Sequence, residues 1–404
     1  MRTSNLNRLL RHTAPHRFLL LCLPFTASCS EGSGTEPCAE LPTRTVLVYL
    51  AGDNNLEEIG RTPELLRQGW KDTGSKCLIY YDAPQAAPKL FALTIRHSDA
   101  SSVLETVEEY PEENSSSAGV FGRVLADVVR KYPSDSYGLI FASHGSGWLP
   151  CGALSDPTRT IGDDRTPGTT GGAREMEITD FAAAIPDHQF DFIIFEACLM
   201  SGIEVAYELR NKTDYLLASS AELLVPGYAP VYPTAFQYLF DTSLGVPQAL
   251  EKFAGSYFNY IDTRNGAYRS ATQSIVYTRE MDALAILAGK TTGNTHGRWD
   301  DALLGKLQHF DRPGSYGDIP ARPRYFDFGQ YMAYLAPERQ ADLDALLRKT
   351  VVWKAATPEF MAGYNGFTIL THSGLTTYIE QDEFPELNAA YKKTAWWKAT
   401  HVQK

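Results

Sequence analysis

A thiol and an imidazole each stand just beyond a dense apolar run in this chain. From Phe190 to Ala197, six of eight residues are apolar. That density is too high for a strand with one wet face and suits one buried on both faces of a sheet. The run stops at Glu196-Ala197-Cys198. The following Met200–Arg210, with Ile203, Val205, Ala206 and Leu209, is expected to be a helix. Cys198 is therefore expected at or beside a helix N-terminus, where unpaired N–H groups favour thiolate over thiol. Tyr137–Ala142 (YGLIFA) reads as another buried strand and leads into Ser143-His144-Gly145-Ser146-Gly147-Trp148. Parallel α/β sheets bind ligands outside the carboxyl ends of their strands, so one sheet edge can present both His144 and Cys198. A thiolate attacks an acyl carbon while imidazole carries the protons of the leaving group. Gly145 leaves room for a backbone N–H to approach an oxyanion, and the Cys198 N–H is the other natural donor. Strand alternation puts Glu196 on a similar side to Cys198, where a carboxylate can meet a cationic substrate group. A lone cysteine or histidine at a strand end is usually a packed or structural residue. The pair is what points to chemistry.

Those two strands need neighbours. Thr45–Leu50 (TVLVYL), Cys77–Tyr81 and Tyr215–Ser219 are expected strands, with Leu90–Ile95 and Val103–Val107 a strand pair beside the main sheet. Helices are expected at Glu57–Trp70, Ala118–Tyr132 and Ile178–Ile185, and the polar residues of Ala51-Gly52-Asp53-Asn54-Asn55-Leu56 are expected to cap the first. This alternation, continuing to about residue 225, indicates an α/β layered fold with a mostly parallel sheet. Beyond it the chain reads as helix-rich, at Pro247–Tyr260, Met281–Lys290, Trp299–His309, Phe328–Leu335 and Glu338–Val352. Strands are expected there only at Gln273–Tyr277 and Phe367–Thr371. Leu149–Glu175 lacks periodicity, is rich in glycine and proline, and contains Arg159, Arg165 and Arg174. It reads as a long exposed loop, a kind that is usually functional or mobile. Trp396-Trp397 reads as core or helix packing.

The chain has 404 residues, of which 44% are hydrophobic and 12% aromatic, enough for a packed core and contrary to disorder. Its formal charge of −11 supplies no basic face for nucleic acid. Residues 1–28 have the layout of a targeting segment. Arg2, Arg8, Arg11 and Arg17 precede the apolar Phe18–Phe25, and the small residues Thr26-Ala27-Ser28 precede Cys29. That end resembles a bacterial lipobox, with Thr26 where leucine is usual, and implies export with diacylglycerol attached to Cys29. Residues 29–42 read as a polar tether. Elsewhere no run approaches the roughly 18 apolar residues of a membrane span. Cys22 leaves with the targeting segment, and an exported chain can pair Cys38 with Cys77. Cys151 reads as a loop thiol. No CxxC or Cys/His ligand spacing suggests a metal site.

The stretches ASHGSGW (142–148) and FEACLMSGIEVAYELR (195–210) resemble the His and Cys motifs of the clostripain family of cysteine peptidases. YLAGDNNLE (49–57), SGLTTYIEQ (373–381) and the tail NAAYKKTAWWKA (388–399) extend the resemblance from about residue 44 to the C-terminus. The His-then-Cys order is the reverse of the papain-like one. The resemblance implies a caspase-like fold, shared by gingipains, legumain and separase. That fold is a three-layer sandwich on a mostly parallel central sheet, here with a core at 43–225 and a helix-rich region at 226–404 packed on it. It also implies His144 as general base and acid, Cys198 as nucleophile, and the Gly145 and Cys198 amides as oxyanion hole. Glu196 stands where the family usually has Asp, on the floor of a pocket selecting Arg or Lys, and Glu222 is the candidate second pocket acid. Self-cleavage after Arg159, Arg165 or Arg174 is a further implication. Protein or peptide substrates with basic residues are the implied partners, with no cofactor and the monomer as the assumed state. Some relatives respond to calcium. Asp53 and Asp163-Asp164 are too weak a signal for a calcium site, and none is expected. A surface-binding lipoprotein on the same fold, with little or no turnover, is the alternative from a different class.

Overall fold

Nine strands pair edge to edge in the computed structural model, which describes residues 43–154, 161–165, 175–292, 301–315 and 321–401. In chain order they are β1 (Arg44–Ala51), β2 (Lys76–Asp82), β3 (Lys89–Ile95), β4 (Ser102–Glu109), β5 (Ser136–Ala142), β6 (Phe190–Glu196), β7 (Thr213–Ala218), β8 (Thr272–Tyr277) and, after the short β9 (Phe326–Asp327), β10 (Val351–Ala356). Their order across the sheet is β10-β8-β7-β6-β5-β1-β2-β3-β4. The central strands β2, β1, β5, β6 and β7 run parallel, and both margins are antiparallel. The sheet is thus mostly parallel, as the alternating pattern implied.

The apolar density of the central strands has a direct structural cause, since side chains alternate between two covered faces. On one face Leu47, Tyr49, Leu139, Phe141, Ile193 and Phe195 meet α2 (Ala118–Lys131), α3 (Ile178–Ala183), α4 (Ile203–Glu208) and α7 (Met281–Thr292). On the other, Val46, Val48, Ile140, Phe192 and Ile194 meet α1 (Thr62–Gly69), α5 (Tyr232–Ala235) and α6 (Val246–Asp262). Two helical layers enclose the sheet.

Several expectations change. The β3–β4 pair extends the main sheet instead of standing beside it. The region after residue 225 contributes β8 and β10 to that same sheet, so its contact with the core is partly backbone pairing. Leu149–Glu175 is not simply an exposed loop. Leu149, Leu154, Ile161, Asp163 and Asp164 are buried, and Ile161 makes antiparallel bridges to Gly145 and Met176. Cys77 is a buried free thiol on β2, and the Cys38 expected as its partner is not among the described residues. Cys22, Cys29, Cys38, the targeting segment and the tether lie outside the described residues. Among the described residues, no helix is long and apolar enough to cross a membrane.

The C-terminal segments fasten the two motif-bearing loops. After α8 (Asp301–Leu304) and β9 come α9 (Phe328–Leu335) and α10 (Gln340–Thr350). Then follow the short strands β11 (Glu359–Phe360), β12 (Phe367–Thr368) and β13 (Thr376–Thr377), and finally α11 (Pro385–Tyr391) and α12 (Ala395–Thr400). Thr376 N–H donates to Ser201 O at 2.9 Å. Buried Glu204 accepts from Tyr378 N–H at 2.9 Å and the Thr377 hydroxyl at 3.0 Å. Trp148 packs on Tyr378 and Tyr391, both at 5.2 Å between ring centroids, and Tyr325 donates its hydroxyl to Ser146 O at 2.7 Å. Trp396 is buried against Tyr207 and Phe328, and Trp397 stacks on His401, in keeping with the packing reading.

Burial pushes the Glu204 carboxyl from its ordinary 4.5 up to about 7. In the unfolded chain it ionises near 4.5, so native stability falls as pH rises from 4.5 through about 7. Glu204→Gln keeps an acceptor for Thr377 and Tyr378 without the charge. Relative to wild type, the variant is expected to gain stability between pH 5 and pH 8, by up to about 3 kcal/mol in denaturant titrations. An unchanged difference between the two pH values counts against ionisation of Glu204 as the cause.

Candidate active site

Strands β5 and β6 are paired in parallel from Gly138↔Phe192 to Ala142↔Glu196. One further bond, Ser143 N–H to Glu196 O at 3.3 Å, carries the contact past the last pair. Ser143-His144-Gly145 therefore leaves the sheet alongside Glu196-Ala197-Cys198. The two turns touch at Gly145, where an added Cβ would lie 2.8 Å from Cys198 O, 2.9 Å from Ala197 Cβ and 3.0 Å from Met200 Sδ. Only a residue without a side chain fits there. The His and Cys motifs thus form one surface at the carboxyl edge of the sheet.

Cys198 is not at a helix N-terminus. The chain turns through Leu199 in the left-handed region (φ 61°), and α4 begins only at Ile203. Between them, Ser201 and Gly202 are engaged by the Gly374–Thr376 segment, which delays the helix. The half-buried sulfur instead meets the loop after β7, accepting from Leu223 N–H at 3.4 Å and donating to Leu223 O at 3.9 Å. That loop is tied to the Cys turn by Leu199 N–H to Ala221 O at 2.9 Å.

His144 is buried, and its Nε2 lies 2.7 Å from Asn55 Oδ1. With the amide oxygen as acceptor, Nε2 carries the proton and Nδ1 is left as the basic nitrogen. Asn55 belongs to the loop after β1, which the sequence suggested only as a helix cap. Neighbouring Asn54 secures that loop, donating to Ala51 O at 2.7 Å and to Asp163 O at 3.0 Å, while its Oδ1 accepts Leu56 N–H at 2.8 Å. The available clue was position, because β1 lies next to β5 and ends at the same edge.

Glu196 ends β6 with its carboxylate held by Tyr228 N–H at 2.7 Å and by the Tyr232 hydroxyl. Gly227, at φ 61°, makes this close approach feasible, since a Cβ there would lie 2.4 Å from Glu196 Oε1. Desolvation raises the Glu196 carboxyl from 4.5 to about 7, offset in part by the Tyr232 and Tyr228 bonds. Glu222 is buried and forms a two-pronged pair with Arg312, at 2.8 and 3.0 Å. Of the loop arginines, Arg165 is described. Its N–H donates to Asp53 O at 2.8 Å, and its guanidinium lies 3.5 Å from Asp163. Arg159 and Arg174 lie outside the described residues. Asp164 accepts from Ser115 N–H and, at 2.8 Å, from its hydroxyl. Among the described residues, no group of three or more His, Cys, Asp or Glu is arranged to hold a metal ion.

The clostripain family model matches residues 48–287, more than half of the chain and inclusive of both motifs. The chain belongs to the clostripain family. Clostripain of Hathewaya histolytica is 26% identical over 290 residues, 64% of this chain and 52% of that protein. The chain therefore spans about half the length of the curated relative it matches. Two solved structures share the fold across 89% of this chain and 98% of their own. One is an inactive zymogen C11 protease from Parabacteroides distasonis, at 29% identity and TM-score 0.72. The other is a secreted C11 cysteine protease from Bacteroides thetaiotaomicron in complex with an irreversible peptide inhibitor, at 26% identity and TM-score 0.73. Their likeness bears out the caspase-like architecture of this family member.

Asn55 offers a test of the imidazole geometry. Asn55→Asp places a carboxylate beside Nε2, so the limb of the pH profile assigned to His144 is expected to move to higher pH. Asn55→Ala is expected to lower kcat about ten-fold without that displacement. Identical pH profiles for Asn55→Asp and wild type would uncouple Asn55 from the imidazole.

Proposed function

We propose that the protein is a cysteine endopeptidase that hydrolyses peptide bonds after Arg or Lys. The observation that carries this reading is the contact of the His144-Gly145 turn with the Cys198 turn, beside the Glu196 carboxylate. Cys198 Sγ attacks the scissile carbonyl carbon as its proton passes to His144. The Gly145 and Cys198 amides donate to the resulting oxyanion. Collapse breaks the C–N bond, His144 gives its proton to the leaving amine, and a thioester remains. Water, deprotonated by His144, then attacks the thioester and regenerates the thiol.

Glu196 recognises the cation of the residue preceding the scissile bond. Its partners Tyr228 and Tyr232 leave the carboxylate in an apolar, partly open setting, where charge–charge attraction is strong. The Leu149–Glu175 loop is the self-processing segment, with Arg159, Arg165 and Arg174 as the candidate sites. Support comes from Arg165, whose side chain is 44% exposed although the residues before it are buried. The N-terminal sequence pattern supports export and lipid attachment through Cys29.

The decisive experiment incubates mature protein and Cys198→Ala with fluorogenic peptides ending in Arg, Lys, Asn or Asp. Turnover after Arg or Lys is expected only with the intact thiol, and turnover of none of the peptides by wild type overturns the reading. Glu196→Gln is expected to raise KM for basic peptides about 10–100-fold and to spare the slower uncharged ones. Because the Glu196 carboxyl titrates at about 7, KM for basic peptides should fall as pH rises through that value. Self-processing is read from the protein's own band. A single chain in Cys198→Ala and a cut chain in wild type are expected, with Arg→Ala substitutions locating the site.

A further inference from the structure

The loop Ser219–Leu224 crosses the end of β6 and brings a backbone amide to the sulfur, with Leu223 N–H 3.4 Å from Cys198 Sγ. Next to Leu223 in sequence is Glu222, only 5% exposed. An acid in this place invites assignment to substrate recognition, yet each of its oxygens faces the chain's own guanidinium. Arg312 Nε lies 2.8 Å from Oε2, and Nη2 lies 3.0 Å from Oε1. The third nitrogen of the fork, Nη1, donates to Tyr364 O at 3.2 Å. Arg312 is itself anchored. Phe310 is fully buried with Ala221 and Phe360, and Leu224, Met361 and Phe367 pack against them. The loop, the segment before β9 and the β11–β12 hairpin are therefore one packed unit, with the ion pair at its edge. A planar, two-pronged pair between a buried carboxylate and a half-buried guanidinium is rigid and directional, properties that a lysine would not reproduce.

We propose that Arg312 is a positioning residue for the thiol: its pair with Glu222 holds the loop Ser219–Leu224 so that the Leu223 amide stays on Cys198 Sγ. Glu222 is thereby committed to the loop, and recognition of a basic side chain falls to Glu196. The amide, the shorter of the two Leu223 contacts, favours the thiolate, whereas Leu223 O, at 3.9 Å, accepts only from the thiol. The inference rests on Cys198 being the nucleophile, but the loop's hold on the sulfur can be read without any substrate.

The test compares wild type, Arg312→Gln, Arg312→Lys, Glu222→Gln and the Arg312→Gln/Glu222→Gln double variant. Two quantities are measured on folded protein, namely the rate of Cys198 alkylation by iodoacetamide and the kcat and KM for Arg and Lys peptides. Arg312→Gln and Glu222→Gln are each expected to slow alkylation and lower kcat about ten-fold, with KM changed less than about two-fold. The double variant should be no worse than either single one, as for two members of one interaction. Arg312→Lys, which keeps the charge, is the variant least disturbing to folding and should still alkylate more slowly than wild type. Unchanged alkylation in folded Arg312→Lys and Glu222→Gln overturns the proposal. So does a Glu222→Gln variant whose only defect is a raised KM for basic peptides, which would make Glu222 a substrate ligand. If wild type alkylates but cleaves no peptide, the peptidase reading fails while the alkylation comparison still decides the role of Arg312.

Discussion

The parallel pairing of β5 with β6, in register to Ala142↔Glu196, is the constraint on which the site depends. Strands that share a direction release their chains at the same edge, so His144 and Cys198 emerge side by side despite their separation in sequence. Antiparallel neighbours would have sent them to opposite ends of the molecule. The same rule brings in the loop after β1, with Asn55, and the loop after β7, with Leu223. Parallel pairing demands covered faces, and the two helical layers meet that demand with apolar side chains from alternate positions of every central strand.

Three glutamates around this edge illustrate how environment divides one side-chain chemistry into different tasks. Glu204 is fully enclosed and spends its acceptor on Thr377 and Tyr378, joining the segment after Cys198 to the C-terminal strands. Glu196 is half-buried, its charge disfavoured by desolvation and partly restored by two tyrosine donors. Glu222 has a guanidinium of matching geometry, the arrangement in which a buried carboxylate is best tolerated.

The region after residue 225 is part of the apparatus that holds the site. It supplies two strands of the sheet, the aromatic cluster that steadies Trp148 at the end of the His motif, and the bonds that define the turn after Cys198. A core ending at β7 would retain the His144 and Cys198 side chains and lose the contacts that orient the loops around them. This gives a physical reason for the SGLTTYIEQ stretch to accompany the Cys motif, since Thr376, Thr377 and Tyr378 bond to Ser201 and Glu204.

By itself the sequence determined the buried strands, the mostly parallel sheet and the pairing of a histidine with a cysteine at strand ends. Apolar density and periodicity report local burial, and a shared strand direction turns two strand ends into one edge. Only the tertiary structure decided what surrounds the sulfur. The helix expected at Met200 starts at Ile203, because the segment Gly374–Thr376 engages the intervening turn. Leu223 brings a backbone donor to Cys198, Asn55 a side-chain oxygen to His144 and Arg312 a guanidinium to Glu222. Each joins residues distant in sequence, through side-chain and loop geometry that no periodicity encodes. Glycine marks the limit of that legibility: Gly145 could be read as room for an oxyanion, but its need for a bare Cα beside Cys198 O and Met200 Sδ exists only once the two turns are packed together.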